Sequence, residues 1–294
     1  MHKHKKAIIM SKITFSGHET FACRALWLKK GYEYVKNNGS FTNSDAVVAL
    51  GVGKNMVASI RYWMRAFDML DNEDKPTILA EKLLADDGWD PYLEDEGTLW
   101  LLHYHLVKKG YASAYYLIFN ELRRQKIEFS KENFIKFIQN RFDNKISENT
   151  LGDDFVVLTK MYLSDKNSKD REDVIGGLLT ELGLIKIVKR AKDDVFVIED
   201  SEKKVIPDAL CYYVLVENKN YGQSISLQTI ATDINSFGVI FGVNQTGIVN
   251  KFENLIAKYD NELVYKDDAG VKEIQFKTQK RNAFSILNDY YDAK

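Results

Sequence analysis

A chain of 294 residues with 45% apolar, 28% charged and 12% aromatic side chains can bury a substantial core, which excludes extensive disorder. Its 41 basic and 42 acidic residues leave a net charge of −1, so no global field draws it to nucleic acid or membrane and any electrostatic function must be local. Two distant cysteines, Cys23 and Cys211, argue against a disulfide framework or thiolate zinc site and fit a reduced, cytoplasmic protein.

In chain order, the amino end "MHKHKKAIIMSK" is basic, but its apolar run, Ala7 to Met10, is too short for a signal peptide. No later segment approaches a membrane span. The tract "FSGHETFACRALWLKKGYEYV" sets Ser-Gly-His-Glu-Thr between phenylalanines and then turns into a helical pattern. A short helix Asp45–Leu50 meets the break Gly51 to Gly53, and a longer helix follows from Lys54 to about Leu70. Met56, Ile60, Trp63, Phe67 and Leu70 recur there at helical spacing, so the pair reads as a helix-turn-helix.

Asp90-Pro91 carries a helix-start signal and opens a helical region reaching about Leu163. Beyond it, a helix stopping near Gly183, a strand Leu184–Val188, a charged turn and a strand Val195–Glu199 resemble the end of a winged helix. "SISLQTIATDINSF" predicts a short helix. In the longer helix after it, Ile248, Phe252, Leu255 and Tyr259 share one face, and two strands flank Asp-Asp-Ala-Gly. The expected fold is mainly α with small β-ribbons (α+β): several helix-turn-helix or winged-helix units joined by a helical region. The expected domains are 1–88, 89–218 and 219–294.

Lys54, Ala58, Arg61 and Arg65 fall on one stripe of the predicted second helix, opposite its apolar face. No acidic residue intervenes between Asp45 and Asp68, so the local field is positive. Asn55 and Ser59 stand where base edges or phosphates come within reach. The plainer alternative is a solvated helix face. The corresponding face of the last unit, with Thr246, Asn250, Glu253 and Asn254, is polar but not basic and suits packing or protein contact.

His18 and Glu19 supply a proton-transfer group beside a possible metal-binding carboxylate, and Arg24 could hold a phosphate. Against catalysis stands a structural role, with Ser16 or Thr20 capping the next helix and the imidazole satisfying buried backbone groups. In a helix, Glu96, Trp100 and His103 share one side and His105 points elsewhere. Glu94, Asp95 or His103 are the candidates to complete a site with His18 and Glu19. The Walker loop, the dinucleotide fingerprint, H-E-x-x-H and G-x-S-x-G are all missing, so no nucleotide or redox cofactor is expected.

"FSGHETFACRALWLKKGYEYV", "AVVALGVGKNMVASIRYWMRAF" and "DPYLEDEGTLWLLHYHL" together resemble the SspB-type proteins of bacterial DNA phosphorothioation systems. The likeness covers roughly the first 110 residues with specific motifs and the rest loosely. It implies a part in installing sulfur in the DNA backbone within an antiphage defence. Double-stranded DNA would be the substrate, alongside a cysteine desulfurase, a sulfurtransferase-like protein and an ATPase. The SspB-type member would nick DNA, with a divalent metal such as magnesium as cofactor. No catalytic set carries over, so His18 and Glu19 stand on their chemistry alone. The alternative is a non-catalytic DNA-binding adaptor or regulator.

Overall fold

The computed structural model describes residues 13–164, 174–190 and 194–294. The amino-terminal basic tract and part of the charged turn before Val195 lie outside them. Helix α1 (Ala25–Lys36) packs on α2 (Ala46–Leu50) and α3 (Lys54–Ala66). Gly51 makes the turn between α2 and α3 in the left-handed region (φ 64°), a conformation glycine enters without steric cost. Gly31 lets α1 approach α3 closely, since a Cβ there would meet Met64 and Ile60 at 3.0 and 3.1 Å. Trp63 is fully buried, and its indole N–H donates to the Phe21 carbonyl at 2.9 Å. A ring of that size hides about 200 Å² of surface, on the order of 5 kcal/mol of hydrophobic stabilisation.

α3 stops at Ala66 rather than Leu70, because Asp68 turns the chain with φ 64°. Phe67 and Leu70 still reach the core beyond the helix end. A bridge between Leu70 and Pro76 closes a tight loop over 71–75. Helix α4 (Ile78–Leu84) follows, capped by Thr77. Asp90 does not start a helix. Its carboxylate accepts the backbone N–H groups of Glu94 and Asp95, both at 2.9 Å, and the helix begins only after the Asp95 cap.

That helix, α5 (Glu96–Lys109), is buried on all sides from Gly97 to Val107 and forms the axle of the molecule. Its polar side chains reach separate parts of the chain. His103 bonds Tyr162 and the Ile240 carbonyl, His105 bonds Tyr213, and Tyr104 donates to Glu217.

Two winged-helix units surround this axle. Strands β1 (Glu128–Phe129), β2 (Lys186–Lys189) and β3 (Asp194–Val197) stand in the order β1-β3-β2. Strands β4 (Ser224–Ser226), β5 (Leu263–Asp268) and β6 (Val271–Phe276) repeat it as β4-β6-β5. In both, a short strand after the first helix pairs antiparallel with the last strand of a hairpin that follows the longest helix. The earlier unit runs through α6 (Ser113–Leu117), a π-helical turn, α7 (Arg123–Gln125), α8 (Lys131–Arg141) and α9 (Glu148–Tyr162). It therefore starts well upstream of the segment in which the sequence revealed it. The expected helix stop at Gly183 is a 3-10 turn, Thr180–Leu182, with Gly183 at φ 54°.

The last unit holds α10 (Asp208–Glu217), α11 (Leu227–Thr232), α12 (Phe237–Phe241) and α13 (Gln245–Lys258). Ile248, Phe252, Leu255 and Tyr259 line the buried face of α13 as their spacing predicts. Asn250 and Asn254 on the opposite side bond Glu202 and Asp208, so part of that polar face serves internal packing. Helix α14 (Ala283–Tyr291) returns to α10 and stacks Tyr291 on Trp89. One hydrophobic cluster runs from Cys23 to Leu287, so the units share a single core.

Candidate functional site

The segment from Ser16 to Thr20 is a loop under backbone strain. Ser16, Glu19 and Thr20 all take positive φ (67°, 49° and 68°), which for a β-branched threonine is a true outlier. Such residues cost about 1–3 kcal/mol each and persist only where their surroundings over-determine them. Here the surroundings do. Asp154, from α9, accepts the Ser16 N–H on Oδ2 at 2.8 Å. His18 Nδ1 accepts the Thr20 N–H at 3.2 Å, and its ring stacks 6.1 Å from Trp63. Its Nε2 lies 3.2 Å from Asp154 Oδ1, a close polar contact without hydrogen-bond alignment.

Gly17 passes so close to Tyr62 that a Cβ would sit 2.5 Å from the ring. Tyr62 is itself wedged against His18, Trp63 and Tyr111 and cannot swing aside. Gly17→Ala is therefore expected to lower stability by about 1–3 kcal/mol in urea unfolding, through overpacking.

His18 is 2% exposed and faces inward, so it holds the loop and is not presented to solvent. Glu19 is exposed on the outer side. Neither Ser16 nor Thr20 caps α1, whose N-cap is Arg24 without a side-chain cap bond. The sequence reading of the imidazole as a satisfier of backbone groups holds for the Thr20 N–H.

Glu19 lines a cleft of about 740 Å³ between this loop and α3, and Lys54, Asn55, Arg61 and Arg65 line it too. The structure thus gathers most of the sequence-predicted site residues in one place. Three depart from it. Ser59 is fully buried with no hydrogen-bond partner for its Oγ, so it faces the core and cannot reach a base edge. His18 is not among the lining residues. Arg24 lies outside them as well, its guanidinium 5.4 Å from the Trp27 ring.

The positive field along α3 is also partly neutralised. Asp74, from the loop after the helix, accepts from Arg61 Nε and Arg65 Nε, both at 2.8 Å. The helix itself carries no acid; the compensating carboxylate arrives from the turn cluster Asp71 to Lys75.

The expected completion of a site by Glu94, Asp95 or His103 does not occur. Asp95 caps α5 and accepts from Tyr290, and His103 is fully buried between Tyr162 and the Ile240 carbonyl. The acid that meets His18 is Asp154. The sequence carried one faint signal of it, an acidic residue within an apolar helical run.

Among the described residues no group of three or more His, Cys, Asp or Glu side chains is placed to hold a metal. Among the described residues Glu19 is the one acid lining the cleft, and both carboxylate oxygens of Asp74 are engaged by arginines. This donor set does not fit a resident divalent cation. Among the described residues no helix is long and apolar enough to cross a membrane.

Fold and cleft together define an α+β protein with winged-helix units and a cation-lined groove on a helix-turn-helix. A family model described as a protein of unknown function, DUF4007, matches residues 15–291, and the chain belongs to that family. A crystal structure described as SspB is 30% identical, with a TM-score of 0.82, covering 95% of this chain and 88% of that one. A second, described as magnesium ion-bound SspB, is 29% identical with a TM-score of 0.83 and the same coverage. The SspB-type resemblance read from the motifs is borne out over nearly the whole length. No curated protein matches the sequence.

Proposed function

We propose that this protein is the DNA-binding component of a bacterial DNA phosphorothioation system, and that the cleft beside α3 faces the duplex. The observation that carries the reading is the convergence of Lys54, Asn55, Arg61 and Arg65 on one groove with the strained loop. A helix after a tight glycine turn is the element that helix-turn-helix proteins lay in the major groove, its first residues nearest the bases. The start of α3 suits that place. Gly53 supplies no side-chain cap, so the first-turn N–H groups are available to a phosphate, as is Lys54. The family likeness supplies the system, with a cysteine desulfurase, a sulfurtransferase-like protein and an ATPase as cytoplasmic partners.

A second reading, strand nicking, is favoured by the backbone strain at Glu19 and Thr20, which sets a carboxylate among phosphate-binding cations. In it Glu19 is the group at the phosphate and His18 positions the loop.

Duplex binding by fluorescence anisotropy at two salt concentrations tests the first reading. Lys54→Ala should weaken binding to all sequences and reduce the salt slope by about 1. No binding at low salt would overturn it. Conversion of supercoiled plasmid to nicked circles, with and without magnesium, tests the second. Nicking lost in Glu19→Gln with binding kept supports it, and absence of nicked product in the wild type leaves the adaptor role.

A further inference from the structure

We propose that Asp74 is a built-in competitor for DNA phosphate, occupying the anion position between Arg61 and Arg65 and setting the affinity of the cleft. This rests on the DNA-binding reading. Its carboxylate does what a phosphate would do there. Oδ2 accepts from Arg61 Nε at 2.8 Å and lies 2.6 Å from a second nitrogen of the same guanidinium. Oδ1 accepts from Arg65 Nε at 2.8 Å. Two oxygens of one anion bridging two guanidinium forks is the arrangement by which arginines recognise phosphate.

The loop that delivers the carboxylate is constructed for delivery. Asp74 takes φ 62°, and its carboxylate meets Arg61 and Arg65 of α3. Asp71 ties the loop by accepting the N–H groups of Glu73 and Lys75 at 2.8 and 2.9 Å, and the Leu70–Pro76 bridge closes its base. Arg65 is committed further, donating to the Asn72 carbonyl at 3.0 Å. Both arginines nevertheless line the cleft beside Lys54. A duplex that engages them must displace Asp74, or it contacts a cluster carrying one net charge where two arginines stand. The loop thereby acts as an affinity brake.

Two accounts of Asp74 predict opposite results. If the carboxylate only orients the arginines, Asp74→Asn loosens them and DNA binding weakens. If it competes with phosphate, Asp74→Asn frees one contact. Affinity then rises about eightfold at 0.1 M salt, and the salt slope steepens by about 0.9. The measurement is anisotropy of a labelled duplex against wild type, Asp74→Asn and Asp74→Ala over a salt series, with circular dichroism to confirm folding. The pair is partly exposed and its loss should be tolerated. Wild-type binding with equal or weaker binding by both variants overturns the competitor role. No binding by any of the three overturns the DNA-binding reading itself.

Discussion

Replacing Asp154 by alanine is expected to cost about 1–3 kcal/mol and to release the Ser16–Thr20 loop. Asp154 is 3% exposed, and its two oxygens serve two parts of the loop, the Ser16 N–H and the His18 imidazole. Truncation leaves the Ser16 N–H without its acceptor and opens a gap beside the buried His18 ring. The three positive-φ residues then lose the contact that over-determines them, and their strain favours opening. The urea midpoint should fall with an unchanged m-value, because the core elsewhere is untouched. Amide exchange from residue 14 to 21 should accelerate beyond the global change. Asp154→Asn keeps an acceptor for Ser16 and should lose less. A cost below 1 kcal/mol for Asp154→Ala would show that the loop holds itself.

The same residue explains what could be read from the sequence. Local rules sufficed wherever an element is stabilised by its own pattern. The period of Met56 to Leu70 marks α3, that of Ile248 to Tyr259 marks α13, and the Asp-Asp-Ala-Gly turn marks the β5–β6 hairpin. The cationic stripe was legible because helical geometry alone aligns Lys54, Arg61 and Arg65. Long-range partners were not. Asp154 and Ser16 are 138 residues apart, and Asp74 reaches Arg61 from outside the helix. No periodicity encodes such a meeting.

Ser59 fails for a subtler reason. A serine on an amphipathic helix looks solvent-facing by chemistry, but this one sits one position before Ile60 on a helix buried across much of its girth. The earlier winged helix was recognised only by its hairpin, because its first strand is two residues long and leaves almost no alternation to detect.

The parts divide by what holds them. α9, the longest helix of the earlier winged-helix unit, offers Asp154 to the loop and the rest of its inner face to the core, so it is spent on assembly. The helix-turn-helix at the amino end keeps its stripe toward the cleft. One helical unit thus lines the cleft while another holds a strained loop beside it.

His103 sets the second large effect, a loss of about 3 kcal/mol of stability between pH 6.5 and pH 4. Burial lowers its pKa to about 4; the Ile240 carbonyl, which accepts from its ring, opposes the shift, and Arg123 adds to it. In the unfolded chain an imidazole titrates near 6.5. As pH falls below that value the unfolded state takes up a proton that the folded state refuses, and unfolding is favoured. The contribution is complete above about pH 6.5, declines through the interval, and is exhausted below about pH 4. Carboxylate losses come lower. Burial alone would raise the pKa of Asp68, but His105 and Lys109 override it and hold it at about 2, so its contribution is present above about pH 4 and disappears toward pH 2. Urea unfolding at pH 7, 5.5 and 4.5 separates the two. The stability difference between wild type and His103→Gln should shrink across this range by most of the 3 kcal/mol, because the glutamine does not titrate. A constant difference would mean that His103 accepts its proton in the folded protein as readily as in the unfolded chain, and that the axle helix is not sealed from water at its centre.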